Sequence, residues 1–273
     1  MSRIRVATWN VNSVRKRLKL LAQFASEASP DVICLQEIKC RDAEFPINDI
    51  KAMGFEHVML NGQKGYHGVA VLSKWPLSGR QAIDFIGSGE SRHLAVQVKT
   101  DNASAAPLLL HNFYVPAGGD EADPEVNKKF RDKLAYFEAL TLWGKKQRRK
   151  KAARVMVVGD LNVAPLEQDV WSHKKMVKVV SHTPVEVELF ERAKAAGGWE
   201  DVMRRFVPPE EKLYTWWSYR ARDWQKANRG RRLDHAWVNA ALAPNVTAVS
   251  VLRDMRGWEV PSDHVPVLID LED

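Results

Sequence analysis

Short apolar runs rich in β-branched residues alternate with helical patterns along most of this 273-residue chain. Run 155–158 is apolar at every position, which is typical of a strand covered on both faces. Helical periodicity covers 14–28 and 185–196, and Asp123 followed by Pro124 predicts a further helix that continues to about 144. This alternation favours an α/β fold with the helices outside the sheets. The predicted strands are 4–9, 32–36, 69–73, 94–98, 108–115, 155–159, 235–239, 248–252 and 265–271.

Nothing in the sequence divides the chain, so we predict a single domain over residues 1–273. There is no linker rich in serine or glycine, no shift of composition and no repeat. The 45% hydrophobic fraction excludes a disordered chain, and two cysteines exclude a disulfide scaffold. No apolar run approaches the ~20 residues of a membrane span, and no signal segment follows Met1. We therefore expect a cytoplasmic protein without a membrane partner.

The net charge is positive. Lysine and arginine number 41 against 34 acidic residues, which gives +7 at pH 7. This excess is a weak indication of a polyanionic partner. The basic run 145–151 is interpreted as a solvated helix end, because cations are favoured near a helix C-terminus. Direct contact with nucleic acid is the alternative interpretation of this run.

Polar groups cluster where predicted strands end. Rigid sheets hold such groups at fixed positions, which is how α/β folds assemble sites. Each group alone has a structural alternative, such as a turn, a cap or a buried aromatic with a satisfied hydroxyl. Together they supply carboxylates, asparagine amides, a tyrosine and a histidine, and such oxygen ligands suit Mg²⁺ or Mn²⁺ rather than zinc. The groups are 9–12, 36–39, 112–116, 159–162 and 262–264.

These groups, in this order and spacing, resemble the endonuclease/exonuclease/phosphatase superfamily. Within it the chain is similar to the exonuclease III-type apurinic/apyrimidinic endonucleases, on the signature carried by 214–219 (YTWWSY) and 228–234 (NRGRRLD). The resemblance extends from about Arg3 to Leu271. It implies a four-layered α/β sandwich, in which two mixed β-sheets pack face to face with helices outside.

The same resemblance implies a Mg²⁺-dependent nuclease, with Mn²⁺ as an alternative ion. Its substrate would be duplex DNA with abasic sites or damaged 3′ ends. It would hydrolyse the phosphodiester 5′ to an abasic site and remove nucleotides or blocking groups from 3′ ends. One alternative is a phosphatase or phosphodiesterase of the same superfamily for a small phosphorylated or lipid substrate, which should lack Trp216 and the basic stretch 220–232. A non-catalytic nucleic-acid-binding protein is another, and it should have lost Glu37, Asp160 or His264.

Residue roles also follow from the resemblance. Glu37 would be the principal metal ligand, Asp160 would activate water, and His264, held by Asp234, would contact the phosphate. The metal site would comprise Asn10, Glu37, Asp160, Asn162, Asp263 and His264. The catalytic group would comprise Tyr114, Asp160, Asn162, Asp234 and His264. The substrate would be bound by Asn12, Trp216, Arg231 and Leu233. Because this set lies within one chain, we expect a monomer.

The chain departs from the family pattern at three places. Ala117, followed by two glycines, stands where many relatives carry an amide side chain. Ser181 and His182 occupy a loop that contacts DNA in relatives, and Arg231 stands where some relatives have a tryptophan that lines the pocket. These changes put the balance between abasic-site cleavage and exonuclease activity in question. The cations expected to face DNA are Arg220, Arg222, Lys226, Arg229, Arg231 and Arg232.

Overall fold

A computed structural model describes residues 3–100, 106–149 and 153–272. The strands are β1 (Arg3–Asn10), β2 (Val32–Gln36), β3 (His57–Asn61), β4 (Val69–Ser73), β5 (Leu77–Gln81), β6 (His93–Val98), β7 (Leu108–Tyr114), β8 (Arg154–Asp160), β9 (Glu200–Asp201), β10 (Trp216–Trp217), β11 (Gly230–Arg231), β12 (Asp234–Val238), β13 (Val246–Val251) and β14 (Val267–Glu272). The helices are α1 (Leu18–Ala28), α2 (Ile47–Ala52), α3 (Lys128–Gln147), α4 (His173–Met176), α5 (Pro184–Gly197), α6 (Val202–Phe206) and α7 (Trp224–Ala227).

Two mixed six-stranded sheets organise the molecule. One has the order β13-β14-β1-β2-β4-β3, and the other has the order β5-β6-β7-β8-β12-β9. In each sheet one central pair is parallel, β1 with β2 and β7 with β8, and the remaining pairs are antiparallel. The two sheets therefore repeat one pattern of strand directions. A separate two-stranded ladder joins β10 and β11.

The core lies between the sheets and between each sheet and its helices. Side chains of β1 and β2 pack against side chains of β7 and β8 in one buried cluster. The outer face of the first sheet packs on Leu21 and Phe24 of α1, and that of the second packs on Phe137 and Phe190 of α3 and α5. The prediction of a four-layered sandwich with helices outside is confirmed.

Most predicted elements are present, but the predicted start of the helix after Asp123 was wrong. The strands over 32–36 and 69–73 match β2 and β4. Helix α3 begins at Lys128 rather than beside Pro124, because Asn127 is its N-cap. The Asn127 side chain accepts a hydrogen bond from the Lys129 amide and also donates to the carbonyl of Gly118. The cap thus serves the loop before the helix as well as the helix itself.

Part of the basic run 145–151 lies at the end of helix α3. Lys145 and Lys146 lie in the last turn of α3, where their charge favours the helix C-terminus. Residues 150 and 151 of the basic run lie outside the described residues.

Across the described ranges, no helix has both the length and the apolar character that crossing a bilayer requires.

Buried histidines make stability depend on pH. Burial lowers the pKa of His93 and of His235 to about 3, so both are neutral when folded and take up protons on unfolding below pH 6.5. Each therefore removes stability as pH falls from 6.5 towards 3, at up to about 1.4 kcal/mol per pH unit. Replacing His235 with glutamine should leave the pH slope of the unfolding free energy almost unchanged near pH 7.5 and reduce it by up to about 1.4 kcal/mol per pH unit near pH 5, measured by urea unfolding. An unchanged slope near pH 5 would contradict the assignment.

Candidate active site

The ends of both parallel strand pairs meet at one edge of the sandwich. Asn10 ends β1, Glu37 follows β2, and Tyr114 and Asp160 end β7 and β8. Asp234 begins β12 and pairs with Asp160 in the antiparallel ladder. Because the strand directions repeat in the two sheets, groups far apart in sequence are brought to a single place.

The segment before β14 completes this edge. The Ser262 hydroxyl donates to the carbonyl of Asn10 (2.7 Å) and accepts from the His264 amide (3.2 Å). The Trp9 indole N–H donates to the carbonyl of His264 (3.1 Å). These buried bonds tie the 262–264 segment to β1 and fix the histidine in place.

An asparagine joins the two central carboxylates. Nδ2 of Asn10 donates to Oε1 of Glu37 and to Oδ2 of Asp160, both at 2.9 Å. The Tyr114 hydroxyl donates to the same Oε1 of Glu37 at 2.8 Å. Asn10 thus presents its amide nitrogen, and not its oxygen, to the acidic pair. Its role as a metal ligand stays a prediction.

A histidine and two aspartates form a second buried group. Nδ1 of His264 is 2.8 Å from Oδ2 of Asp234, and Nε2 is 3.6 Å from Oδ2 of Asp160. Burial lowers the pKa of His264, but the charges of Asp234 and Asp160 outweigh it and raise that pKa overall. Burial raises the pKa of Asp160, and the His264 charge opposes this only in part. A cationic imidazole therefore stands beside a carboxyl group that can accept a proton near neutral pH.

Glu37 is held as an anion. Burial acts to raise its pKa, but Lys39 and hydrogen bonds from Asn10 and Tyr114 lower the pKa below its usual value. Nζ of Lys39 lies 2.8 Å from Oε2 of Glu37 and donates to Oδ1 of Asn12 at 2.6 Å. Lys39 is not among the predicted site residues, although it stands two residues after Glu37 in the strand-end group 36–39.

The backbone around these side chains adopts an uncommon conformation. Asn12, Glu37, Lys39 and Asn162 have φ values of 47°, 52°, 53° and 55°. Non-glycine residues rarely occupy this left-handed region, and such residues concentrate at functional sites, where the surrounding structure imposes the conformation. Here the tight backbone turns the side chains that follow β1, β2 and β8 towards one another.

Asp263 links the site to a tryptophan. Its Oδ1 accepts from Nδ2 of Asn12 and its Oδ2 accepts from the Trp216 indole, both at 2.9 Å. The guanidinium of Arg231 lies 5.0 Å from the centroid of the Trp216 ring. Asp263 therefore orients the aromatic wall of the site, and its part in metal binding stays a prediction.

The residues enclose a cavity of about 220 Å³. Arg231 forms part of its wall, because NH1 donates to the Ser181 hydroxyl (2.9 Å) and to the Val180 carbonyl (3.2 Å). A groove of about 690 Å³ adjoins it and shares Trp216 and Arg231. The smaller cavity is lined by Glu37, Tyr114, Ala117, Gly119, Asp160, Asn162, Val180, Ser181, Trp216, Arg231, Leu233, Asp263 and His264.

The expectation that Arg232 faces DNA was wrong. Its side chain is fully buried and forms ion pairs with Asp169 (2.8 Å) and Asp201 (2.7 Å). Arg231 points into the cavity wall, and its neighbour points the opposite way because successive side chains alternate along an extended chain. Of the predicted cations, Arg220, Arg229 and Arg231 line the groove.

Asn162 is fixed on two sides. Its backbone N–H donates to Oδ1 of Asp160 (3.0 Å), and its side-chain Nδ2 donates to the carbonyl of Val115 (2.9 Å).

A further residue that the sequence did not reveal is Arg92. Its guanidinium lies 4.7 Å from the Tyr114 ring centroid and donates to the Tyr114 carbonyl (3.2 Å). Arg92 immediately precedes β6, where nothing in the sequence distinguishes it.

The donor set fits a hard divalent cation. One ligand atom from each of Asp160, Asp234 and His264 lies within 4.8 Å of the others, and Asn10 brings Glu37 to the same place. Buried Oδ1 of Asp234 has no hydrogen-bond partner within the described ranges. Carboxylate oxygens in such excess over nitrogen and sulfur suit Mg²⁺ or Mn²⁺.

Comparison with known proteins identifies the class. Residues 7–264 match the Endonuclease/Exonuclease/phosphatase family, and the chain belongs to this family. It is 30% identical over 267 residues to exodeoxyribonuclease III of Haemophilus influenzae. The aligned region covers 95% of this chain and 97% of the relative.

Solved structures agree with this assignment. An AP endonuclease from Archaeoglobus fulgidus superposes with a TM-score of 0.88 at 28% identity, covering 99% of this chain and 100% of the other. The 3′ phosphatase NExo from Neisseria, bound to product DNA hairpin, has the same TM-score and coverage at 29% identity. The predicted resemblance to exonuclease III-type AP endonucleases is confirmed.

Proposed function

We propose that this chain is a Mg²⁺-dependent DNA repair nuclease that hydrolyses the phosphodiester 5′ to abasic sites. It would also remove nucleotides or blocking groups from 3′ ends of duplex DNA. The observation that carries the proposal is that Glu37, Asp160 and His264 line one cavity together with Trp216 and Leu233. The side chains proposed to hydrolyse the phosphoester and the apolar side chains proposed to contact the sugar thus line the same cavity.

Asp160 would take the proton of the attacking water. Its Oδ2 accepts a hydrogen bond from Nδ2 of Asn10, and its Oδ1 accepts one from the backbone N–H of Asn162, so the carboxylate has a fixed orientation. The pKa that burial raises makes it a stronger base than an exposed aspartate. Asn162, at the cavity wall, would position the water.

His264 would stabilise negative charge on the phosphate. Asp234 fixes the ring through Nδ1, which leaves the Nε2–H on the side of Asp160 and the cavity. A cationic donor that is already oriented needs no reorganisation as charge develops, and such a donor is worth about 3 kcal/mol. The Tyr114 hydroxyl, whose pKa burial and Glu37 raise, stays protonated and would lie beside the same phosphate.

Mg²⁺, when bound, would neutralise the phosphate oxygens and orient water. Glu37 is the principal candidate ligand because its carboxylate is ionised and faces the cavity. The further candidate ligands are Asn10, Asp160, Asn162, Asp263 and His264. His264 would ligate the ion only as a neutral imidazole, so this role is an alternative to its role as the cationic donor.

Abasic DNA fits the pocket for a steric reason. A deoxyribose without its base could enter between Trp216 and Leu233, and extrusion costs less when no base must be unstacked. The adjoining groove presents Lys175, Arg220 and Arg229 beside tryptophan rings, a combination suited to a nucleic-acid backbone and its bases. Because one chain supplies every proposed group, we propose a monomer that acts on DNA inside the cell.

The test is cleavage of a duplex that contains one tetrahydrofuran abasic analogue. We expect incision 5′ to the analogue in Mg²⁺, none in EDTA, and recovery when Mg²⁺ is restored in excess. An undamaged duplex and a duplex ending in a 3′-phosphate separate the endonuclease from the 3′-end activities. Failure to cut in Mg²⁺, together with hydrolysis of a phosphoinositide, would instead favour the phosphatase alternative.

A further inference from the structure

A lysine and a glutamate form an ion pair in the interior, outside the predicted catalytic set. Lys133 of α3 and Glu186 of α5 are both 0% exposed, and Nζ of the lysine contacts Oε1 of the glutamate. Two buried charges cost desolvation energy that their attraction does not always recover. The other hydrogen bonds of these two side chains connect the pair to loops of the candidate active site.

Lys133 holds two loops of the active site. Its ammonium group donates to the main-chain carbonyl of Asn162 (2.7 Å) and to that of Ala117 (3.3 Å). With Glu186 as the third partner, all three N–H donors of the lysine are used. The loops that follow β7 and β8 are therefore attached to a single nitrogen atom.

Glu186 holds a third loop. Its carboxylate accepts from the Ser181 amide at 2.9 Å and from the hydroxyl of Thr183 at 2.7 Å. Ser181, at φ 85°, in turn accepts from Arg231 in the cavity wall. A continuous chain of hydrogen bonds thus runs from Arg231 through the buried ion pair to Asn162.

Gly118 shows how closely the first loop is fitted to the lysine. At φ +90°, a Cβ added there would lie 2.9 Å from Cδ of Lys133 and 3.0 Å from Cγ1 of Val180. Two of the three departures from the family pattern, at 117–119 and 181–182, therefore meet at the same ion pair.

We propose that Lys133 and Glu186 are positioning residues for the reaction, and this rests on the proposed function. The pair fixes Asn162 and the Arg231 wall relative to Asp160. Without the lysine, the Asn162 carbonyl and the Glu186 charge would be left buried and unpaired, so the loops would shift. A displacement of 1 Å at reacting groups costs about 10²-fold in rate.

The first test is Lys133→Met, which keeps the length of the side chain without its charge. We expect kcat on the abasic duplex to fall about 10²-fold while KM changes less than about threefold. Lys128→Met removes an exposed lysine of the same helix, paired with Asp132, and should leave kcat unchanged. Leu189→Ala destabilises α5 without touching the pair, so it should lower Tm and retain kcat when assayed well below Tm.

The second test moves the lysine without removing it. Gly118→Ala should lower kcat about tenfold, because the new methyl group displaces the Lys133 stem. Gly54→Ala is the matched control, since Gly54 has φ +93° and no atom within 4 Å of its added Cβ. Alanine is strained to a similar degree at both positions because both have positive φ, and we expect both variants to fold, which circular dichroism checks.

Every outcome is judged as the ratio of variant to wild type, on the abasic duplex and on a 3′-recessed duplex. Wild-type kcat in Lys133→Met or Gly118→Ala, or equal losses in Leu189→Ala and Gly54→Ala, would overturn the positioning role. Failure of the wild type on the abasic duplex alone would contradict the proposed substrate, and the ratios on the recessed duplex would still decide the role of the pair.

Discussion

Asp160→Asn should lower kcat for abasic-site cleavage by about 10³-fold or more, which is the loss expected when a general base is removed. The amide keeps the volume of the carboxyl group and its place beside Asn10, but it cannot accept a proton. His264→Ala should cause a comparable loss, because it removes the cation beside Asp160. The double variant should be little worse than either single one, since residues that act as a unit give non-additive losses.

Stability separates this prediction from simple unfolding. Burial raises the pKa of Asp160, so the charged form is disfavoured in the fold and a neutral amide should leave Tm unchanged or higher. Circular dichroism and thermal unfolding check this, with Asp49→Asn in α2 as the matched control at a distance from the site. Wild-type turnover in folded Asp160→Asn would show that another group is the base.

Arg232→Met should lower the free energy of unfolding by about 3–5 kcal/mol, the usual cost of removing one partner from a buried ion pair. Arg232 bridges Asp169 and Asp201, and both carboxylates are largely buried. Methionine fills similar volume, so the loss reports the uncompensated negative charge rather than a cavity. Urea unfolding at pH 7.5 measures it.

The pH dependence gives an independent check of Arg232→Met. Burial acts to raise the pKa of Asp201, but Arg232 lowers it below its usual value. A depressed carboxylate pKa contributes stability above the unfolded pKa and loses it as pH falls through the folded pKa. The deficit of the variant should therefore shrink below about pH 4. Lys128→Ala, in an exposed pair, should cost at most about 0.5 kcal/mol, and a similarly small loss in Arg232→Met would contradict the argument.

Pattern alone predicted the central strands and the edge strand β13, but it did not predict the edge strands β3 and β5. β2 and β4 are buried at every position, so their apolar runs delimit them. β5 is mostly exposed, and every residue of β3 is only partly buried. Folding therefore does not demand a run of apolar residues in these two strands, and such a run is the signal that identifies a strand in a sequence. Local cap signals also misled: Asp123-Pro124 has the form of a helix start, but tertiary contacts of Asn127 set the true one.

The predicted site residues lie around one edge, yet their individual contacts required the fold. Sequence spacing relates Glu37 to its own strand but gives no distance to Asp160, which is joined to it through Asn10. The assignments of these residues as catalytic, metal-binding or substrate-binding stay predictions. Lys39 and Arg92 were missed because a charged residue in a loop is usually solvated.

The sequence by itself determined the class of fold, the edge at which the site forms and the chemistry of its side chains. Strand periodicity and strand-end polarity are local properties, and the family motifs preserve them. Only the tertiary structure decided which charges are buried. Arg231 and Arg232 are neighbours with the same chemistry, yet one lines the cavity and the other is buried in an ion-pair network. Lys133 carries the same charge as exposed Lys128 on one helix. Burial depends on packing between distant segments, so no local pattern records it.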